Sequence, residues 1–313
     1  MEFVLLFPGQ GSQTPGMGKE LAQAHAPARE AFDAVDAALG APLSTLCFEG
    51  PADELTLTHN AQPALLAHGA AVWAVMRPVL AGRVRAAAGH SLGEFTAYHA
   101  AGALPLADAA RLVRRRGELM YESGVARPGA MAAILGDPVE PIDAICARAT
   151  QEAALVVPAN YNSPGQVVIS GEEAGVERAM ALAKELGAKR AIRLNVSGAF
   201  HSPLMESAVD GLSQALDRAA FTDAGFPVYS NVTADGGTSP GRARELLLKQ
   251  LTSPVRWTDE VRAMAAAYPD ATFVEMGPGT VLAGLLKKIA PQLRTVSCGT
   301  PADIQKLMEL AAS

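Results

Sequence analysis

The stretch Val84-Arg85-Ala86-Ala87-Ala88-Gly89-His90-Ser91-Leu92-Gly93 joins a largely apolar run, a serine in a glycine-flanked turn and a helix-like segment. A strand, a sharp turn and a helix form the setting of a nucleophile elbow, which lifts a hydroxyl toward a ligand. Glycine suits this turn because a Cβ would not fit. Leu92 would open the helix, so its N–H lacks a helical partner and can face developing negative charge. The stretch predicts Ser91 as a nucleophile, and a chance serine in a glycine-rich turn is the alternative.

Composition limits the class of protein. The chain has 313 residues, of which 49% are hydrophobic and 19% charged, enough for one large core or a core with a smaller module. Three scattered cysteines argue against a disulfide framework or a zinc site. A net charge of −6 gives no support for nucleic-acid binding. We expect neither a secretory signal nor a membrane span, and therefore a cytoplasmic enzyme.

Short strand-like runs alternate with long helical segments, which predicts an α/β fold with a mostly parallel sheet. The predicted strands are Phe3–Phe7, Val84–Ala88, Phe226–Val228, Thr272–Glu275 and Thr295–Ser297.

The rhythm changes between about Ala130 and Leu194 to strand, helix, strand, strand, helix, strand, which is the ferredoxin-like order. We therefore predict a ferredoxin-like subdomain over 128–196, inserted into a large α/β-hydrolase-like domain formed by 1–127 and 197–313. The cleft between the two is the expected ligand site.

A serine nucleophile needs a base, and His201 is the best candidate of the six histidines. Three others precede the elbow, His99 lies too far along the same helix, and His90 should project to the opposite side from Ser91. His201 lies in a loop at the exit of the predicted subdomain, although a helix-capping histidine would look the same. No acidic residue is close to it in sequence. A distant carboxylate or a backbone carbonyl would therefore orient the imidazole.

Arg116 falls on the apolar face of the helical segment Ala109–Met120. An inward guanidinium needs an anion, either an internal carboxylate or a carboxylate of the substrate.

The loop Pro8-Gly9-Gln10-Gly11 follows the first strand, and it lacks the lysine of a phosphate-binding loop. It either aims the Gln10 N–H at the sheet edge as a second oxyanion donor or is a plain tight turn.

Several separated motifs together resemble the malonyl-CoA:acyl carrier protein transacylases, in the same order and over nearly the whole chain. They are Phe7-Pro8-Gly9-Gln10-Gly11-Ser12-Gln13, Gly89-His90-Ser91-Leu92-Gly93-Glu94, Arg116-Gly117, Asn160-Tyr161-Asn162-Ser163-Pro164-Gly165-Gln166, Gly198-Ala199-Phe200-His201-Ser202 and Gly277-Pro278-Gly279.

The resemblance implies a role for each matching position. Ser91 would be the nucleophile, His201 the base, and the N–H groups of Gln10 and Leu92 the oxyanion hole. Arg116 would hold the malonyl carboxylate, and the main-chain carbonyl of Gln250 would orient the histidine. Asn160 and Asn162 would line the cleft, although asparagines in a turn are often structural. Phe200 resembles the malonyl-selective form of its motif and would crowd an α-methyl group.

The implied activity is transfer of malonyl from malonyl-CoA to the phosphopantetheine thiol of an acyl carrier protein, in fatty-acid or polyketide synthesis. The resemblance implies no cofactor, since the CoA thioester is a substrate, and a monomer that binds neither nucleic acid nor membrane. Docking of an acidic carrier would need a basic patch, for which Lys189, Arg190, Lys287 and Lys288 are candidates. A thioester hydrolase, the transacylase subunit of a malonate decarboxylase and a binding module without chemistry remain alternatives.

Overall fold

The computed structural model describes residues 1–196 and 198–312 and contains the predicted alternation of strands and helices. Two predicted domain limits, Ser197 and Ser313, lie outside the described residues. The strands are β1 (Phe3–Phe7), β2 (Val84–Gly89), β3 (Ala130–Leu135), β4 (Val156–Ser163), β5 (Gln166–Gly171), β6 (Arg190–Arg193), β7 (Val228–Tyr229), β8 (Gly236–Gly237), β9 (Thr272–Met276) and β10 (Arg294–Cys298). The helices are α1 (Lys19–Ala24), α2 (Ala26–Leu39), α3 (Leu43–Glu49), α4 (Ala52–Thr56), α5 (Thr58–Leu80), α6 (Gly93–Ala100), α7 (Leu106–Ala126), α8 (Ile142–Glu152), α9 (Glu173–Glu185), α10 (Val209–Arg218), α11 (Pro240–Lys249), α12 (Trp257–Ala267), α13 (Val281–Ile289) and α14 (Pro301–Ala312), with a 3₁₀ segment at Pro203–Ala208.

The large sheet has the strand order β10-β9-β1-β2-β7-β8. All neighbouring pairs are parallel except β7 with β8, which confirms the prediction of an α/β fold with a mostly parallel sheet. Strand β8 was not predicted, because its two residues are both glycine and carry no apolar pattern.

The central strands are buried on both faces, as parallel strands usually are. Alternate residues of β1 enter two separate apolar clusters: Phe3, Leu5 and Phe7 join one, and Val4 and Leu6 join the other. Such a continuous apolar run is possible only where helices cover both faces of a sheet.

Helix α5 is the one described helix that is long and apolar enough to cross a membrane, by length and composition alone. Polar residues such as Gln62, His68 and Arg77 interrupt it, so the prediction that no uninterrupted apolar stretch approaches a membrane span is not contradicted. Since 78% of its most apolar window is buried inside the protein, the helix is a core element.

The smaller sheet has the order β4-β5-β3-β6 and is entirely antiparallel. Helices α8 and α9 contribute to its own apolar cluster. In chain order the elements run strand, helix, strand, strand, helix, strand, as predicted. The Tyr161 N–H donates to the carbonyl of Val255 at 2.9 Å, and the Val255 N–H donates to Ala159 at 2.8 Å, so β4 is hydrogen-bonded to the segment before α12.

Parallel pairing brings the ends of β1 and β2 together. Phe7 is the register partner of Gly89, so the loops that follow these strands leave from the same sheet edge. Ligands of open α/β sheets bind beyond this carboxyl edge. The fold therefore places the Gln10 loop beside the Ser91 turn.

Candidate active site

The turn at Ser91 has the geometry that the glycine pattern predicts. Ser91 has a φ of 54°, in the left-handed region that a residue with a Cβ rarely adopts. A Cβ on Gly89 would lie 1.9 Å from the carbonyl carbon of Gly93, and one on Gly93 would lie 2.1 Å from the Phe7 oxygen. Both glycines are therefore required for the close approach of backbone to backbone.

His201 lies within hydrogen-bond distance of the serine. Its Nε2 is 2.8 Å from Ser91 Oγ, and its Nδ1 is 2.9 Å from the carbonyl oxygen of Gln250. A carbonyl only accepts, so Nδ1 carries the proton and the Nε2 lone pair faces the hydroxyl. Of the two orienting groups left open by the sequence, the backbone carbonyl is the one in contact.

Burial keeps this imidazole neutral. Desolvation, followed by repulsion from Arg116, lowers the pKa of His201 to about 3, despite the opposing contact with the Gln250 carbonyl. A neutral histidine can accept the proton of Ser91.

Arg116 is buried on α7 and points into the site, as its position on the apolar face predicts. Its Nη2 donates to Ser91 Oγ at 3.0 Å and to Gln250 Oε1 at 2.9 Å, and its Nη1 donates to Gln62 Oε1 at 2.8 Å. The guanidinium also lies 5.6 Å from the ring centroid of Phe95.

The charge of Arg116 has no close counterion among residues 1–196 and 198–312. No described carboxylate forms an ion pair with it within 4.0 Å, and its buried Nε has no hydrogen-bond partner in the same part of the chain. Desolvation lowers the pKa of Arg116 to about 10, and Glu94 opposes this at longer range. The internal ion pair considered from the sequence is therefore absent from the described residues, and two neutral amides hold the guanidinium instead.

A cavity of about 400 Å³ opens above the serine. Every residue predicted for the site except Gln250 lines it: Gln10, Ser91, Leu92, Arg116, Asn160, Asn162, Phe200 and His201. In the part of the chain that the structure describes, the N–H groups of Gln10 and Leu92 donate to no protein acceptor. Both amides therefore remain able to bind an oxyanion.

Two expectations about neighbouring residues are wrong. His90 lines the cavity instead of projecting away, and its Nε2 is 2.8 Å from Asn162 Oδ1. The left-handed residue that follows His90 breaks the alternation of side chains that a strand would continue. Asn162 lies in strand β4 together with Asn160, not in a turn, and each is at most 9% exposed.

A buried polar network behind the elbow was not predicted. Asn231 Oδ1 accepts from the Ser91 N–H at 2.7 Å, and Gln250 Nε2 donates to the Ser91 carbonyl at 3.1 Å and to Glu94 at 2.6 Å. Glu260 accepts from Asn231 Nδ2 at 3.0 Å. Burial raises the pKa of Glu94 to about 7 and raises that of Glu260 well above its usual range.

Sequence signals for this network differ in strength. Glu94 follows the elbow directly and could have been predicted, whereas Gln62 belongs to the polar start of α5, shortly after Asn60, and carries a weaker signal. Asn231 follows a two-residue strand and had no local signal. Within the described residues, no group of three or more His, Cys, Asp or Glu could hold a metal ion.

Residues 4–303 match the family described as the acyl transferase domain. This match and the serine–histidine pair at the sheet edge agree, and together they define an acyltransferase. A malonyl CoA-acyl carrier protein transacylase of Bacillus subtilis strain 168 is 49% identical over 309 residues, which is 97% of this chain and 95% of the relative. The chain therefore belongs to the malonyl-CoA:acyl carrier protein transacylase family.

Solved structures agree with this placement. An acyl-carrier-protein-S-malonyltransferase from Bartonella henselae superposes with a TM-score of 0.94 at 41% identity, covering 100% of both chains. A malonyl-transacylase solved in complex with the acyl-carrier protein of a type II PKS has a TM-score of 0.93 at 40% identity, covering 99% of this chain and 100% of that one.

Proposed function

We propose that this chain transfers the malonyl group of malonyl-CoA to the phosphopantetheine thiol of an acyl carrier protein, through a malonyl ester of Ser91. The observation that carries the proposal is that one serine hydroxyl lies 2.8 Å from His201 Nε2 and 3.0 Å from Arg116 Nη2, an arginine without a counterion among the described residues. A serine beside a base can form an ester, and a buried cation without a counterion favours a donor with a free carboxylate.

In the first half-reaction, Ser91 Oγ attacks the thioester carbonyl while His201 Nε2 takes its proton. The N–H groups of Gln10 and Leu92 stabilise the tetrahedral oxyanion. The carbon–sulfur bond then breaks, and the sulfur of CoA receives the proton from His201. A malonyl-serine ester and free CoA are formed.

In the second half-reaction, the carrier thiol gives its proton to His201 and attacks the ester carbonyl. The bond between the acyl carbon and Ser91 Oγ breaks, and His201 Nε2 returns the proton to Ser91 Oγ. Because CoA leaves before the carrier protein reacts, the kinetics are ping-pong. Arg116 keeps the malonyl carboxylate in place through both steps, so the acyl group is positioned once.

Three further residues complete the proposed binding site. Asn160 and Asn162 line the cavity from strand β4 and present amides to the acyl chain. Phe200 is buried beside His201 and would crowd an α-methyl group, which favours malonyl over methylmalonyl. The proposed reaction uses no cofactor, since the thioester supplies the activated acyl group.

The finer description of the fold is also part of the proposal. We describe 1–127 and 197–313 as an α/β-hydrolase-like catalytic domain and 128–196 as an inserted ferredoxin-like subdomain. The order β4-β5-β3-β6 with two helices supports the second name, and the serine elbow after β2 supports the first. We place this enzyme in the cytoplasm as a monomer.

We propose that the carrier protein docks at the outer end of the smaller sheet. Arg190 and Gln166 are both register partners of Leu135, and Lys288 Nζ donates to Gln166 Oε1 at 3.3 Å. Gln166 lines the cavity, so this row of residues extends to the cavity wall. Four basic residues form no ion pair within the described residues: Lys189, Arg190, Lys287 and Lys288. Their positive charges can therefore attract an acidic carrier protein.

Release of free thiol from malonyl-CoA, with and without a holo acyl carrier protein, tests the function. We expect one equivalent of CoA in a burst without carrier, a malonyl adduct on Ser91 by mass spectrometry, and turnover only when carrier is added. Ser91→Ala should abolish the burst, whereas Ser213→Ala on α10 should not. Carrier-independent release at the full rate would instead identify a hydrolase, and absence of any adduct would contradict an acyl-enzyme.

A further inference from the structure

The conformation of Ser91 must be imposed by its surroundings. Its φ of 54° is unfavourable for a residue with a side chain, and such conformations persist only where neighbouring groups fix them. Hydrogen bonds hold both peptide groups of Ser91. Its N–H donates to Asn231 Oδ1 at 2.7 Å, and its carbonyl accepts from Gln250 Nε2 at 3.1 Å.

Asn231 fixes more than one part of the turn. Its Nδ2 donates to the Gly89 carbonyl at 2.7 Å, so one side chain bonds both the last residue of β2 and the serine itself. Asn231 is completely buried and does not line the cavity, so a bound substrate would not touch it. Any effect of this residue on reactivity must therefore act through the protein groups that it contacts, of which Ser91 is the reacting one.

The orientation of the Asn231 amide is itself determined. Glu260 Oε1 accepts from Nδ2 at 3.0 Å, and the Ser91 N–H donates to Oδ1 at 2.7 Å, so a rotated amide would place donor against donor. The backbone is held as well, because the Asn231 N–H donates to Glu94 Oε2 at 3.2 Å and its carbonyl accepts from Arg256 at 2.9 Å.

We propose that Asn231 is a positioning residue, which holds Ser91 in the left-handed conformation that directs its hydroxyl at His201. This inference rests on the proposed function for its role in malonyl transfer, but the reactivity of the hydroxyl can be measured without that function. Loss of the Asn231 amide would let the turn relax and move Oγ away from Nε2.

The first test compares Asn231→Ala with wild type and with Ser123→Ala, which removes a partly buried hydrogen bond between Ser123 and Ser207. A displacement of about 1 Å can cost on the order of 100-fold in rate. We expect a loss of this size in kcat for malonyl transfer, a change in KM below about threefold, and a parallel loss in the rate of Ser91 sulfonylation by phenylmethanesulfonyl fluoride. Ser123→Ala should keep both rates.

A second pair of variants exchanges donor and acceptor. Asn231→Asp keeps an acceptor for the Ser91 N–H, but it loses the donor to Gly89 and adds a third carboxyl group beside Glu94 and Glu260. Glu260→Gln in the same chain supplies a new donor toward position 231. We expect the double variant to recover at least about tenfold of the sulfonylation rate that Asn231→Asp loses.

The outcomes are distinct. Circular dichroism and thermal unfolding show whether each variant folds, and the charge exchange decides the question if Asn231→Ala does not fold. Folded Asn231→Ala with wild-type sulfonylation, or a double variant no better than Asn231→Asp, would overturn the proposal. If wild type is sulfonylated at Ser91 but transfers no malonyl, the proposed function fails and the sulfonylation rates still test Asn231.

Discussion

Ser91 Oγ and His201 Nε2 lie 2.8 Å apart although 110 positions separate the two residues in the chain. Both have backbones in the left-handed region, with φ values of 54° and 57°. Each side chain is thus presented by a turn that its neighbours must hold in place. The pair depends on packing across the cleft as much as on the two residues themselves.

Arg116→Ala should shift the selectivity of the enzyme from malonyl toward acetyl. Malonyl transfer should fall by about 100-fold or more, because the free carboxylate loses its charged partner, whereas acetyl transfer should be spared or improved. Arg116→Lys keeps a charge but loses the planar fork, so it should fall between wild type and alanine. The measurement is kcat/KM for malonyl-CoA and acetyl-CoA with one carrier protein. Equal losses for both donors would mean that Arg116 is structural.

The rate of acylation should not fall between pH 7 and pH 5, where an ordinary histidine base would become protonated. The base works in its neutral form, and a pKa of about 3 for His201 leaves that form populated throughout the range from pH 5 to 8. Stopped-flow measurement of the CoA burst should therefore show no loss centred near 6.5 as the pH falls.

Glu94 provides the control for this profile, because its pKa of about 7 lies inside the same range. A step in the wild-type rate near pH 7 that disappears in Glu94→Gln would belong to this carboxyl group. A loss near pH 6.5 that persists in Glu94→Gln would contradict the low pKa of His201.

Gly93→Ala should damage the fold itself. The added Cβ would lie 2.1 Å from the backbone oxygen of Phe7, which cannot yield without separating β1 from the elbow. We expect a loss of about 3 kcal/mol or more in the free energy of unfolding, measured with urea. Gly284→Ala, in helix α13, where no atom of another described element lies within 4 Å of the new Cβ, is the matched control and should gain about 0.5–1 kcal/mol. Equal stability of both variants would contradict the packing described.

Charge reversal should reveal the docking surface. Arg190→Glu combined with Lys288→Glu should raise KM for the carrier protein about tenfold or more. High salt should raise the carrier KM of the wild type in the same direction, because it screens the same charges. Acylation by malonyl-pantetheine, which lacks the phosphates of CoA, should be unchanged. Arg218→Glu changes an exposed charge at the end of α10, which belongs neither to the smaller sheet nor to α13, and should leave carrier binding intact. A carrier KM that stays constant would exclude this surface.

The parts of the site that sequence predicts are those encoded locally. The Ser91 turn needs glycine at Gly89 and Gly93 for steric reasons, and the apolar periodicity of α7 is enough to place Arg116 inward. The limits of the five predicted strands of the large sheet agree with the structure to within a few residues for the same reason, because short apolar runs between turns carry their own boundaries.

The parts of the site that sequence does not predict depend on contacts between segments that are distant in the chain. Asn231 reaches the elbow only because β7 pairs with β2, a relationship that no local pattern encodes. His90 was assigned to the wrong side because strand alternation ends at the left-handed residue after it. Asn162 was expected in a turn, but β4 continues through it with irregular register and delivers its amide to His90.

The peptide carbonyl behind His201 has a consequence for substrate discrimination. A carbonyl carries no full negative charge, so among residues 1–196 and 198–312 no formal charge in contact with Nδ1 balances an imidazolium, while the positive charge of Arg116 opposes its formation. A malonyl carboxylate on Arg116 would cancel that repulsion and make the imidazole a stronger proton acceptor at the moment the correct donor arrives. Donors without the second acid group would leave that repulsion in place, so malonyl would meet a more basic imidazole than acetyl would, while burial, the larger cause of the low pKa, would act with either donor.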